Sequence, residues 1–137
     1  MSVECFIDTS VIVYAAAGRG KLETKRRKAL TLLEEADFGL SSQVLQEFYV
    51  VVTRKIQTPL PPAEALDWIE QFEVFPCVAI EPGLAKIAAE ISERYQMSYW
   101  DGAIVAAAEI LNAGILYSED LNHQQYYESV QVINPFL

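Results

Sequence analysis

Short apolar runs of strand length alternate along this chain with longer stretches of helical periodicity, and that alternation limits the possible folds more than any other feature. The runs Val3-Glu4-Cys5-Phe6-Ile7, Phe38-Gly39-Leu40-Ser41, Cys77-Val78-Ala79-Ile80, Ile115-Leu116-Tyr117 and Val130 to Ile133 read as strands. Helices are expected from a Thr9 or Ser10 cap through Tyr14 to Ala17, from Glu23 to Ala36, and across Gln43 to Val52. Others are expected from Pro62 past Leu66, Ile69 and Phe72, over Leu84 to Tyr95, and over Ser98 to Leu111 with its end at Gly114. Strands separated by helices pair in parallel through right-handed crossovers. The expected fold class is therefore α/β, a three-layer α/β/α sandwich with a mostly parallel central sheet. Thr58-Pro59-Leu60-Pro61-Pro62 is the clearest internal break, and it reads as a bend. A length of 137 residues with 52% hydrophobic content suits one core and is short for two, so residues 1–137 are expected to form a single domain.

Against that scaffold, four acidic residues point to one edge. Asp8 ends the first apolar run as the chain turns into a helix, and Asp120 follows the run Ile115-Leu116-Tyr117 at another strand exit. In open α/β sheets, ligands bind outside the carboxyl ends of the strands. Glu47 and Asp101 lie near helix starts and on faces that a solvated acid normally avoids. Glu47 falls between Val44 and Val51 on a stripe of Val44, Leu45, Phe48, Val51 and Val52, and Asp101 shares a stripe with Ile104, Val105 and Ala108.

Each acid taken singly also has a structural explanation. Ser98 and Asp101 have the spacing of a capping box, Asp8 suits a turn or cap, Asp120 suits a loop before Asn122, and Glu47 could lie at the margin of its stripe. Their convergence is a different matter. Two unit charges ~4 Å apart repel by about 4 kcal/mol at an effective dielectric near 20, so ionised carboxylates gather only around a cation or with strongly shifted pKa values. Mg²⁺ or Mn²⁺ is the natural counter-charge.

Four segments resemble the PIN-domain nucleases, and within them the VapC-type toxins of toxin–antitoxin pairs. They are Phe6-Ile7-Asp8-Thr9-Ser10, Leu45-Gln46-Glu47-Phe48, Tyr99-Trp100-Asp101-Gly102 with the following Ala103 to Ala108, and Leu116-Tyr117-Ser118-Glu119-Asp120-Leu121. Their order and spacing match over essentially the whole chain. The resemblance implies a PIN-like fold and metal-dependent cleavage of RNA phosphodiester bonds, with Asp8, Glu47, Asp101 and Asp120 as catalytic and metal-holding acids. The fourth acid varies in this family, and Glu119 stands beside Asp120 as the alternative. Ser10 and Ser118 match hydroxyl positions that support the acids. The resemblance also implies a cognate antitoxin and self-association into a homodimer; Tyr49, Trp68 and Phe72 are compatible with burial against another chain and equally with ordinary core.

A formal net charge of -9 gives no global basic field for nucleic acid. Six of the ten basic residues nevertheless lie in one stretch, Arg19, Lys21, Lys25, Arg26, Arg27 and Lys28, and removing it with Glu23 leaves a remainder of -14. That stretch reads either as a phosphate-tracking stripe for RNA, as a solvated helix face, or as a contact for an acidic partner.

Other features exclude functions. Gly18-Arg19-Gly20-Lys21 lacks the first glycine and the Ser/Thr of a phosphate-binding loop, since Ala15 and Leu22 hold those positions. Cys5 and Cys77 lack zinc-like spacing and read as buried thiols of a reducing cytosol. No run approaches the ~20 apolar residues that cross a bilayer, so a cytoplasmic protein without membrane contact is expected. His123 is the only histidine and follows the last acid closely, where it could be a proton donor or metal neighbour but reads more readily as an exposed loop residue; Tyr99, Trp100, Tyr126 and Tyr127 could stack on bases, though Tyr99 and Trp100 at such spacing more often serve core or interface. Two rival functions remain: a catalytically weak PIN-like RNA-binding or assembly module, and an aspartate-nucleophile phosphatase, for which Ser10 stands where a second acid is characteristic.

Overall fold

The apolar runs become the strands of one six-stranded sheet in the computed structural model, which describes residues 2–137. Strand β1 (Cys5–Ile7) is fully buried, as a continuous apolar run between two helical layers must be. Helices α1 (Thr9–Ala17) and α2 (Glu23–Glu35), joined through a 3₁₀ turn at Gly20–Leu22, lead to β2 (Phe38–Ser41). Helices α3 (Ser42–Arg54) and α4 (Pro62–Phe72) follow and return to β3 (Cys77–Val78). Helices α5 (Pro82–Tyr95) and α6 (Tyr99–Ile110) carry the chain to β4 (Ile115–Tyr117), and a hairpin of β5 (Tyr126–Tyr127) and β6 (Val130–Ile133) completes it.

The strand order β3-β2-β1-β4-β6-β5 explains why the helices form two layers. From β1 the chain moves outward to β2 and then β3 through α1 to α4, all along one direction of the sheet. It then reverses and crosses back beyond β1 to β4 through α5 and α6. Right-handed crossovers in opposite directions lie on opposite faces of a sheet. Every pairing is parallel except β5 with β6, and the expected α/β/α arrangement is the one observed. The strand order reverses between β1 and β4, whose registers pair Phe6 with Leu116 and Ile7 with Tyr117. The exits of these two strands therefore open side by side at the switch point.

Several local expectations need correction. The first helix is capped by Asp8, whose side chain accepts from the Thr9 amide, and not by Thr9 or Ser10. Helix α6 closes at Leu111, where Asn112 takes the left-handed conformation with φ of 54°, so Gly114 is not its terminator; asparagine tolerates that region because its short side chain bonds locally. Strand β3 stops at Val78 with Ala79 and Ile80 exposed. Cys77 is exposed, whereas Cys5 is buried and its thiol is pushed up to about 11 by burial and by Asp37 and Glu4. Phe72 takes the core alternative, packed edge-on to Phe38. Strand β5 has no precedent in the sequence pattern, because its turn carries Glu128 with φ of 55° where a glycine or asparagine signal was absent.

One glycine sets how the second helical layer approaches the site. A Cβ on Gly102 would lie 2.6 Å from the Ala88 carbonyl oxygen of α5 and 3.1 Å from the Ser92 amide nitrogen. Close contact of α5 with α6 therefore requires a residue without a side chain beside Asp101. Gly102→Ala is expected to lower stability by about 1–3 kcal/mol through overpacking, measured as a shift in the denaturant midpoint with an unchanged m-value; an unaltered midpoint would show that the helices part freely.

Candidate active site

The carboxyl ends of β1 and β4 place Asp8 and the Ser118-Glu119-Asp120 corner at the switch point, and α3 and α6 wall the same space. The resulting cleft, about 450 Å³, is lined by Asp8, Glu47, Asp101 and Asp120 together. All four acids singled out in the sequence thus border one space, at its wall and not in contact as a cluster. They differ in environment: Asp8 is 6% exposed, Glu47 and Asp101 are half-buried, and Asp120 is exposed.

Asp8 is the most constrained. Its Oδ1 accepts from the Thr9 amide at 2.7 Å and its Oδ2 from the Ser118 hydroxyl at 2.8 Å. Ser118 Oγ in turn accepts from the Asp120 amide at 3.2 Å, so one hydroxyl ties the exit of β1 to the exit of β4. Burial nevertheless pushes the Asp8 carboxyl up to about 6, and the carboxylates of Asp120 and Glu47 push in the same direction against those two hydrogen bonds. Asp120 is also raised, by burial first and then by Glu119 and Asp101. Glu47 accepts from the Thr9 hydroxyl at 2.8 Å, which links α3 to the first turn of α1.

Asp101 shows how a cap and a site residue coincide. Ser98 Oγ accepts from the Asp101 amide at 3.1 Å, which is half of a capping box. The Asp101 carboxyl lines the cleft and does not complete the box. Glu119, the alternative fourth acid, turns the other way: it pairs with Lys25 and accepts from the Tyr14 hydroxyl at 2.6 Å. Asp120, and not Glu119, lines the cleft. Ser10 also lines it, with its hydroxyl buried and unbonded among the described residues.

None of the six clustered basic residues lines this cleft. Lys25 is held by Glu119, Arg26 and Arg27 lie 3.0 and 3.8 Å from Glu23, and Lys28 donates to the Phe136 carbonyl. Four of the six are thus engaged by the corner beyond β4, by the segment after β6 or by Glu23 of their own helix. His123 accepts from the Asn134 amide away from the site. Sequence reasoning missed Thr9, Gln43, Gln46 and Lys55, all of which line the cleft. Lys55 had a weak signal, because Glu47, Val50, Val51 and Lys55 recur at helical spacing along one face of α3.

The donor set suits a hard cation. Carboxylate and hydroxyl oxygens face the cleft, and no histidine or cysteine lines it. The buried, raised Asp8 is a further fit, since an uncompensated charge there is costly and a cation would relieve it. Among the described residues no three of these side chains are gathered tightly enough to form a ready-made chelating group.

Comparison with known proteins agrees with this architecture. The sequence matches the PIN domain family over residues 5–129, and the chain belongs to that family. No curated protein matches the sequence significantly. The fold is similar to that of Mycobacterium tuberculosis VapC20, described as a sarcin–ricin loop cleaving toxin, with a TM-score of 0.66 and 20% identity over 85% of this chain and 89% of that one. It is similar also to a chain in a toxin–antitoxin complex from Klebsiella pneumoniae, with a TM-score of 0.71 and 16% identity over 96% and 97% of the two chains. A chain of VapBC2 from Rickettsia felis bound to a promoter DNA fragment gives 0.62 and 15% identity over 93% and 96%. The chain thus has the PIN fold in the form seen in VapC structures.

The raised Asp8 has a consequence for stability. Its carboxyl binds a proton more tightly folded than unfolded, so between the ordinary value of 3.8 and about 6 the folded state holds the extra proton and stability falls as pH rises. The shift corresponds to a loss on the order of 3 kcal/mol once the pH exceeds both values. In chelator, the parent is expected to lose stability relative to Asp8→Asn between about pH 4 and pH 7. Parallel denaturation profiles for the two proteins would remove this account of the site.

Proposed function

We propose that this chain is a divalent-metal-dependent ribonuclease, acting as the toxin of a toxin–antitoxin pair. The observation that carries the reading is the convergence of Asp8, Glu47, Asp101 and Asp120 on one cleft at the switch point of a PIN fold. The neighbours support it in kind: one is described as cleaving the sarcin–ricin loop, and another belongs to a toxin–antitoxin complex.

Asp8, Asp101 and Asp120 are the residues that would hold Mg²⁺ or Mn²⁺, with Glu47 alongside. A divalent ion bound there supplies charge neutralisation at the scissile phosphate and acidifies the attacking water. The chain's own groups prepare that chemistry. Ser118 and the Thr9 amide fix both oxygens of Asp8, and the Thr9 hydroxyl fixes Glu47. Ser118 sets the Asp120 backbone. Glu119 acts at a distance from the cleft by anchoring the corner to Lys25 and Tyr14.

A cognate antitoxin and self-association complete the reading. An apolar groove between α3 and α4, lined by Leu45, Tyr49, Val50, Leu66 and Ile69, lies beside the cleft and shares Val50 and Gln46 with it. A partner chain seated there would reach the catalytic edge. No helix among the described residues is long and apolar enough to cross a membrane.

Purified protein incubated with total RNA is expected to produce discrete new ends in magnesium and none in chelator. Asp8→Asn and Asp101→Asn are each expected to reduce cleavage by about 100-fold or more, beyond what losing an outer partner of a metal ligand costs, while circular dichroism stays native. Near-normal cleavage by either variant would defeat the assignment. An assembly module would bind RNA and leave it intact in both conditions, and a phosphatase would be trapped by a phosphate mimic on Asp8.

A further inference from the structure

The corner that carries Asp120 is held only lightly by its own backbone. Its last main-chain anchor is the Ser118 amide, which donates to the Ile133 carbonyl at 3.1 Å, and among the described residues no backbone–backbone hydrogen bond reaches Glu119, Asp120 or Leu121. Side chains hold it instead. Ser118 Oγ accepts from the Asp120 amide, Leu121 packs partly against the core, and Glu119 reaches out to α1 and α2. That outward contact is a network. Lys25 Nζ pairs with Glu119 and donates to the Tyr14 hydroxyl at 3.3 Å, while the same hydroxyl donates to Glu119 at 2.6 Å. The ammonium also lies 4.9 and 5.6 Å from the ring centres of Tyr14 and Phe136, which meet edge-on, and Lys28 donates to the Phe136 carbonyl. An isolated surface pair contributes little, but one fixed by a hydroxyl and two aromatic rings keeps its geometry.

From this arrangement we infer that Lys25 is a positioning residue for the divalent cation: acting through Glu119, it fixes the corner that presents Asp120, so that metal affinity depends on a cation standing outside the cleft. This inference rests on the metal-dependent reading of the site and adds a residue to it. The sign of the effect identifies it. Removing a positive charge from beside an anionic cleft strengthens the attraction of a divalent ion if charge alone matters. Losing the latch does the opposite, because an acid whose supporting contacts are gone is no longer held where the ion needs it.

The test uses Mn²⁺ as the probe, bound to the full chain without RNA and followed by calorimetry, so the readout does not depend on cleavage. Lys25→Met is expected to weaken binding by about tenfold or more, the scale for losing an outer partner of a metal ligand, and Lys25→Arg to recover most of it. Glu119→Gln is expected to weaken binding as well, and the double variant Lys25→Met with Glu119→Gln to lose less than the two losses combined, since both remove one contact. Arg27→Gln removes a more exposed cation from the same helix and is expected to leave affinity unchanged or slightly higher. Circular dichroism in chelator identifies the folded variants. If Lys25→Met does not fold, Tyr14→Phe removes only the hydroxyl of the network and is expected to weaken Mn²⁺ binding in the same direction.

Binding by folded Lys25→Met that is as tight as the parent's, or tighter, overturns the inference. An equal loss in Arg27→Gln also overturns it, as do fully additive losses in the double variant; where Tyr14→Phe stands in, unchanged binding does the same. Failure of the latch and failure of the metal site read differently. If the parent binds Mn²⁺ and Lys25→Met matches it, the latch fails and the metal site stands; if the parent binds none, the metal reading fails and the inference falls with it.

Discussion

A single hydroxyl, that of Ser118, holds the two halves of the site together. It donates to Asp8 at the end of β1 and accepts from the Asp120 amide beyond β4. These strands are neighbours only because the chain reverses direction across the sheet, and their exits share an edge only because they run parallel. The hydrogen bond therefore exists at the point where topology opens a crevice. It also sets an electrostatic balance. Ser118 and the Thr9 amide favour the Asp8 anion, while burial and two neighbouring carboxylates oppose it, and the opposing side is stronger. A fold arranged for its own stability would not leave that balance unfavourable; functional sites commonly do.

The rest of the site is arranged around that buried charge. Thr9 serves Asp8 with its amide and Glu47 with its hydroxyl, so α3 and α1 are indexed to the same residue. Glu119 is drawn outward by Lys25 and Tyr14, and the same cation lies over the Tyr14 and Phe136 rings at 4.9 and 5.6 Å. The basic segment thus has a structural use at the corner of β4. This distribution accounts for how a chain with a net charge of -9 carries so many cations in one stretch without presenting them to the cleft.

The α/β architecture was legible because its inner strands β1 and β2 are buried on both faces and so appear as uninterrupted apolar runs such as Phe38 to Ser41, which is the observed β2. Asp8, Glu47, Asp101 and Asp120 were legible because each breaks a local rule, an acid at a buried strand end or on an inward helix face. The β5–β6 hairpin was not. Its left-handed Glu128 is stabilised from outside, by the Tyr95 hydroxyl accepting from its amide at 2.8 Å and by Arg94 pairing with its carboxylate. No residue within the turn announces it.

Trp100 marks the same boundary from the other side, since its spacing suits a core position and its exposure depends on where α6 meets α3. Sequence alone determined the periodicities, hence the helices and the parallel strands but not the β5–β6 hairpin, and which acids were out of place. Tertiary structure decided which of two adjacent acids, Glu119 or Asp120, enters the cleft, and which cation, Lys55 or the clustered six, stands at its wall. Periodicity is a property of neighbours along the chain, whereas the direction a charged side chain takes depends on partners brought to it from distant segments.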